Sequence, residues 1–412
     1  MGKKLKVLYI HEYFTDSQKN GANIIAFNCY TKMVKQGNNV LFYANNQQPY
    51  IYEQNINELF PTSHINKKGV INKLIYRLNS IYNIEAQINL NQIIKSFKPD
   101  IVHIHSLLEL SYSVVQTLNK YKIPYVITAH DSGYICPVMG TKILECTLCK
   151  DNPIKCITKK CSKNNIFCSI YMAIKYCVML NILKTYPPQK IITPSFALSK
   201  YLEQSNAYKN RLVCINNSLD DCFLDVEPNY ENKGYFLYVG GVIDIKGVGI
   251  LLNAIKDLPD NIEFHIVGTG VHEDKFKLFV KENKLKNVKF LGKKNRKELI
   301  EEYQNCISLI TPSNWFENFP TTNMESFING KPVIGSRIGG IPEMVEHNKT
   351  GLLFEPANVE QLKECILKYW KNRDLVVEHG RNAYEKARTH YTEERYYNEL
   401  MKVYAEVINN AK

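Results

Sequence analysis

Short apolar runs separated by helical patterns recur twice along the chain, and this alternation limits the fold more than any other feature of the sequence. In the first half, Lys6–Ile10, Val40–Tyr43, Ile101–His105, Tyr125–Thr128, Ile191–Pro194 and Leu212–Ile215 read as strands. Brief, nearly continuous apolar runs suit strands of a parallel sheet covered on both faces. Helical periodicity lies between several of them, as in Ala22–Val34, which ends before Gly37, where a C′ glycine belongs. Residues 213–234 lose that periodicity and gain Asn and Asp, the signature of a linker.

A second alternating series follows. Tyr235–Val239, Glu263–Val267, Val288–Leu291, Ser308–Thr311, Val333–Gly335 and Gly351–Phe354 read as strands. Ile250–Leu258, His272–Lys281, Lys297–Gln304 and Thr322–Asn329 read as the helices between them. The expected fold is α/β, with two doubly wound Rossmann-like domains, residues 1–225 and 226–390, facing across a cleft. The helical pattern Thr392–Ile408, within a tail of residues 391–412, can pack back on the first domain. In open parallel sheets ligands bind beyond the carboxyl ends of the strands, so the strand exits are the expected site.

Segment 132–186 interrupts the first series. It carries most of the cysteines and then an apolar helical stretch, residues 166–186, broken by Lys175. Two readings fit that helix: a membrane-surface helix, or one buried beneath the insertion.

Composition narrows the setting. At 45% hydrophobic and 22% charged residues the chain is ordinary globular material, and 412 residues are enough for two cores. The segment Met1–Ile10 has only a four-residue apolar run, too short for a signal peptide, and Lys6 breaks the myristoylation pattern. No uninterrupted apolar run approaches the ~18 residues of a membrane span. These features place the chain in the cytoplasm, with the inner face of the membrane as a second station. The net charge of +12 is concentrated: residues 1–230 hold 26 Lys+Arg against 15 Asp+Glu, and residues 231–412 hold 26 against 25. A basic half can attract an anionic substrate or membrane surface, or can simply be a solvated lysine-rich face. No nucleic-acid recognition motif accompanies it. Seven of the twelve cysteines lie between Cys136 and Cys177. In a cytosolic chain that clustering suggests reduced thiols or a metal rather than disulfides.

Several glycine-rich strand exits could seat phosphate. Gly21 opens the first helix, where backbone amides can face an anion. There is no G-x-G-x-x-G, so a dehydrogenase-type dinucleotide site is poorly supported. In the second half Gly240 and Gly241 follow a strand, with Lys246 and Gly247 shortly after; glycines allow close backbone approach and the lysine supplies a point charge. Val267-Gly-Thr-Gly270 and Gly339-Gly-Ile-Pro-Glu343 repeat the pattern. Glu317 follows the strand Ser308–Thr311 and has no obvious structural use. Glu325 has one: Thr322 and Glu325 match the T-x-x-E capping box.

Taken in order, these segments resemble the family 4 glycosyltransferases of the GT-B fold. The residues that carry the resemblance are Gly240, Lys246-Gly247, Val267-Gly-Thr-Gly270, Pro312-Ser313, Glu317-Asn-Phe-Pro320, Glu325 (in E-x7-E spacing with Glu317), Lys331-Pro-Val333 and Gly339-Gly-Ile-Pro-Glu343. Pro99-Asp-Ile-Val-His-Ile-His105 and Thr128-Ala-His-Asp131 match in the first domain, so the resemblance spans almost the whole chain.

The resemblance implies a retaining, nucleotide-sugar-dependent hexosyl transfer to a glycan or lipid-linked acceptor, as in bacterial surface polysaccharide or glycoconjugate synthesis. It implies no dedicated protein nucleophile and no required cofactor, with a UDP-sugar favoured over a GDP-sugar as co-substrate. Glu317 would bind sugar hydroxyls and Glu325 ribose hydroxyls. The amides around Asn318, Phe319, Pro320, Thr321, Thr322 and Asn323 would frame the diphosphate that Lys246 neutralises, and His130 would reach the transferred sugar. His103, His105 and Asp131 would stand on the acceptor side, where peripheral membrane association through the basic first domain also fits. One departure stands out: an arginine commonly follows the first glycine at this strand exit, and position 241 is Gly. Arg337 is a candidate replacement. Cys136, Cys146, Cys149, Cys156 and Cys161 resemble a small zinc loop, leaving a structural zinc open. A nucleotide-sugar epimerase and a non-catalytic nucleotide-sugar-binding protein of the same fold are the competing readings.

Overall fold

The computed structural model describes residues 4–12, 21–45, 57–64, 67–138, 149, 152–220, 223 and 226–411. They form two compact units, one of residues 1–216 with 396–412, the other of residues 217–395.

The first unit is built on a six-stranded parallel sheet. Its strands are β1 (Lys6–Ile10), β2 (Asn39–Tyr43), β3 (Ile101–Ile104), β4 (Tyr125–Thr128), β5 (Lys190–Thr193) and β6 (Leu212–Cys214), in the order β2-β1-β3-β4-β5-β6. Both faces are covered, as nearly continuous apolar strands require: Val7, Leu8, Tyr9 and Ile10 are all buried. The sheet order reverses between β1 and β3, so their carboxyl ends open the crevice where ligands gather in this architecture.

The last long helix, Glu393–Asn410, belongs to this unit from Tyr396 onward. Its fully buried Tyr404 hydroxyl lies 2.6 Å from His103 Nδ1 and 3.2 Å from the Tyr9 hydroxyl. Cys29 donates to the Tyr396 hydroxyl at 3.1 Å. The helix Ile166–Thr185 is long and apolar enough to cross a membrane by length and composition, although no uninterrupted apolar run in the sequence suggests this. One face of it is buried, including Ala173, Tyr176, Leu180 and Leu183, and Tyr176 donates to the Tyr134 carbonyl at 3.3 Å.

The second unit repeats the plan with β7 (Tyr235–Val239), β8 (Glu263–Val267), β9 (Val288–Gly292), β10 (Cys306–Thr311), β11 (Val333–Ser336) and β12 (Gly351–Phe354), all parallel, in the order β12-β11-β10-β7-β8-β9. Alternate residues of β7 enter two separate cores. Phe236 and Tyr238 join Leu252, Phe264 and Leu362 on one face; Tyr235 and Leu237 join Met324, Phe327 and Val333 on the other. This two-residue period is what a strand between two helical layers demands. The order reverses between β7 and β10, and the residues that follow these two strands define the site.

Candidate functional site

The loops after β7 and β10 are joined backbone to backbone. Asn314 donates its amide to the Ile245 carbonyl at 3.0 Å. Gly247 sits at φ +78°, and a Cβ there would lie 1.8 Å from the Pro312 carbonyl oxygen, so the contact requires glycine. The turn after β11 closes on the same place: Gly340 donates its amide to the Glu317 carbonyl at 2.8 Å, and a Cβ on Gly339 would meet that oxygen at 2.1 Å. Glu317 is thus held by its own backbone from two sides.

The residue is 8% exposed, and a pair of donors converges on its side chain. Lys246 Nζ lies 2.7 Å from Glu317 Oε1, and Ser313 donates its hydroxyl to the same oxygen at 2.6 Å. Oε2 accepts from no described residue. A buried carboxylate with one oxygen compensated and the other open is suited to accept from hydroxyls. Lys246 Nζ, a third exposed as a side chain, keeps donors available for an anion.

Glu325 lies in the helix Thr321–Ile328, whose N-cap is Pro320, with no side-chain capping bond. The capping box expected from Thr322 and Glu325 does not form, because the helix starts one residue earlier and Thr322 is already inside it. Glu325 instead accepts from the Tyr303 hydroxyl at 2.8 Å. Burial pushes its carboxyl above the ordinary range, while hydrogen bonds from Tyr303 and Thr321 pull the other way. Among the described residues the Thr321 and Thr322 amides have no protein acceptor, whereas the Asn323 amide donates to the Pro320 carbonyl at 3.1 Å. Asn323 itself is fully buried, with its Oδ1 taking the Thr311 hydroxyl at 2.7 Å. Phe319 is likewise core, edge-on to Tyr391 with ring centroids 5.5 Å apart. Asn318 and Pro320 are half-buried in the turn that carries Glu317 into the helix.

The remaining glycines separate into two kinds. Gly240 is bonded into the turn, its amide on the Val267 carbonyl at 3.0 Å. Gly241 has no positive φ, and a Cβ would meet only Ile243, at 3.8 Å. Neither backbone nor packing demands glycine at 241. Arg337, the candidate replacement, is 44% exposed as a side chain and donates from Nε to Glu355 at 2.9 Å. Gly21 is exposed at the start of the helix Gly21–Lys35, and nothing lies within 4 Å of a Cβ there.

In the first unit, His105 and His130 are brought together at the exits of β3 and β4. His105 Nδ1 is 3.0 Å from His130 Nε2, and the rings stack at 5.2 Å. Burial, assisted by neighbouring imidazoles, holds His105 well below the usual range and lowers His130 to about 3. Both are neutral bases at neutral pH. His105 Nε2 is buried without a partner among the described residues. His103 is different. Its two ring nitrogens are taken by Tyr404 at 2.6 Å and Thr128 at 2.7 Å, and it has no exposed surface, so it is a core histidine with no nitrogen left for an acceptor. Asp131 caps the next turn by accepting the Gly133 amide at 2.7 Å, and burial raises its pKa.

Four groups given no functional role from the sequence stand close to these sites. Glu12 and His11 follow β1, and both are buried. Lys175, the charge that breaks the apolar helix, has its pKa lowered by burial, with Glu12 and Asp131 as its opposing charges. Tyr303 supports Glu325. Exit position after a switch-point strand was the available signal for His11 and Glu12.

Cys149, Cys156 and Cys161 cluster in a small buried core with Val138, and Cys146 lies outside the described residues. Burial and neighbouring thiols push the Cys156 thiol up to about 12. Among the described residues no group of three or more His, Cys, Asp or Glu is arranged to hold a metal ion, and Cys146, one of the five candidate ligands, is not among them.

The chain resembles known proteins along most of its length. Residues 19–221 match the family described as Glycosyltransferase Family 4, and residues 223–388 match Glycosyl transferases group 1. An uncharacterized glycosyltransferase of Methanocaldococcus jannaschii is 30% identical over 293 residues, 71% of this chain and 72% of that protein. Sucrose-phosphate synthase from Thermosynechococcus elongatus superposes with a TM-score of 0.75 at 16% identity, covering 99% of this chain and 100% of the other. Anabaena HepE in complex with UDP-glucose superposes at 0.69 with 15% identity, covering 98% and 100%.

Proposed function

Because the chain belongs to the glycosyltransferases, with family 4 and group 1 segments in succession on a GT-B fold, we propose that it moves a hexosyl group from a nucleotide-diphosphate sugar to a glycan or lipid-linked acceptor with retention at the anomeric carbon. The observation that carries this reading is the Lys246–Glu317–Ser313 cluster at the switch point of the second sheet. One anion-seeking ammonium and one half-satisfied carboxylate, fixed to the same loop pair, match a ligand that carries phosphate beside hydroxyls. A related fold that holds UDP-glucose supports a nucleotide sugar as that ligand.

In this reading Lys246 and the Thr321 and Thr322 amides meet the diphosphate, Glu317 the sugar hydroxyls and Glu325 the ribose. The bond from the anomeric carbon to the phosphate oxygen breaks, and the acceptor oxygen bonds to that carbon on the same face. The acceptor's proton passes to the departing diphosphate, so the atoms balance without a protein nucleophile or metal. The fixed donors lower the barrier because they face charge that grows as the phosphate leaves. Neutral His130 is assigned to a hydroxyl of the transferred sugar, since an unprotonated imidazole can accept from it.

A thermal-shift screen against UDP- and GDP-sugars, followed by transfer assays, tests the reading. A donor at about 100 times its Kd should stabilise the fold by ~2.7 kcal/mol. Absence of both stabilisation and calorimetric binding with every nucleotide sugar would overturn it.

A further inference from the structure

Tyr303 stands in the last turn of the helix Arg296–Asn305, has no exposed surface, and turns its hydroxyl onto Glu325 Oε2 at 2.8 Å. Its ring packs in the core that holds Met324, Phe327 and Val333, so the hydroxyl is kept in one place. The helix is fixed at both ends. Asn295 and Glu298 close a capping box at its start, with bonds of 3.0 and 2.9 Å, and Glu302 Oε2 lies 2.8 Å from His265 Nδ1 near its end. Burial and the charge of Glu325 hold the Tyr303 hydroxyl well above its ordinary range, so it is a proton donor at neutral pH. A buried phenol needs an acceptor, and a carbonyl would serve: Tyr235 in the same core uses that of Glu302 at 3.0 Å. Tyr303 donates instead to a half-buried carboxylate.

Two further contacts shape that carboxylate. Glu325 also accepts from Thr321, and Asp220, a second carboxylate whose charge reaches it, is taken at both oxygens by Arg296, at 3.0 and 2.7 Å. Tyr303 and Thr321 fill about two of the roughly four lone-pair sites of Glu325, which leaves capacity for a pair of donors. A vicinal diol supplies such a pair. We propose that Tyr303 is a positioning residue for the nucleotide: its hydroxyl stops the Glu325 carboxylate from rotating, so that the remaining lone pairs meet the 2′- and 3′-hydroxyls of the ribose. This rests on the reading of Glu325 as the ribose ligand. Tyr303 is fully enclosed and acts only through Glu325. Its effect therefore falls on donor affinity and on the choice between ribose and 2′-deoxyribose, and not on the bond-breaking step.

Calorimetry with UDP, GDP and their 2′-deoxy analogues on the full-length protein, wild type against Tyr303→Phe, provides the test. Wild type should bind the preferred ribonucleotide about tenfold or more tighter than its 2′-deoxy form, because a charge-assisted bond is lost with the hydroxyl. In Tyr303→Phe the ribonucleotide should bind about five- to tenfold more weakly, while the 2′-deoxy form stays within about twofold of wild type, so the preference shrinks. In transfer assays KM for the donor should rise by the same factor with kcat unchanged. In a Glu325→Gln background the same substitution should leave Kd unaltered, since its route to the nucleotide is gone. The proposal is overturned if Tyr303→Phe keeps the wild-type preference, if it weakens both forms alike, as a merely structural loosening would, or if its effect persists beside Glu325→Gln. Wild type binding UDP or GDP with no preference over the 2′-deoxy form would remove Glu325 from the ribose, and wild type binding neither nucleotide would overturn the proposed function itself; either result overturns the role of Tyr303 as well.

Discussion

Glu317 gathers an ammonium and a hydroxyl on one oxygen and leaves the other open, and its chemistry follows from that asymmetry. Glu317→Gln should keep the fold yet lower kcat/KM by about a hundredfold or more, because an amide is a weaker acceptor and leaves Lys246 uncompensated. Donor-panel assays beside circular dichroism would check it. Position 241 offers the converse experiment. Its backbone and surroundings accept a side chain, so Gly241→Arg should restore a charge-assisted contact of ~1.5–3 kcal/mol and tighten nucleotide binding about tenfold or more. Calorimetry with UDP measures it, and an unchanged Kd would mean that the guanidinium does not reach the diphosphate.

At the scale of elements, the inner parallel strands were legible because they are four- to six-residue apolar runs buried on both faces, as β10 shows with all six residues buried; the edge strands β6 and β9, only partly buried, were legible from their apolar residues alone. The start of the helix Thr321–Ile328 was not. Thr322 and Glu325 satisfy a capping pattern, but Pro320 fixes φ at −65° and starts the helix one residue sooner. His103 and His105 share a face of β3 and differ only in what closes over them: Tyr404, some 300 residues away, occupies one and not the other, and no local pattern encodes that. The loop contact at Gly247 can be tested directly. Gly247→Ala places a Cβ against the Pro312 carbonyl at a left-handed φ, and should cost about 1–3 kcal/mol or more in urea unfolding, with a parallel loss of donor binding as Lys246 shifts.

Across the whole molecule, the buried imidazoles set a pH dependence. His103 and His130 titrate at about 3 in the folded chain, and His105 also falls well below its unfolded value of ~6.5. Above that value both states leave these rings neutral and nothing is lost. As pH falls through it, the unfolded chain takes up protons that the folded chain refuses until about 3, so stability declines between those limits. The midpoint for urea unfolding should therefore be lower at pH 5 than at pH 7; a flat response would contradict the burial of these rings. The helix Glu393–Asn410 carries a different consequence. Because its Tyr404 closes over β1 and β3, the second unit is in effect an insertion within the chain of the first. During synthesis, residues 217–395 can fold as soon as they emerge, whereas the first sheet must wait for a helix made after all of them. The half of the molecule that is begun first is the half that is finished last.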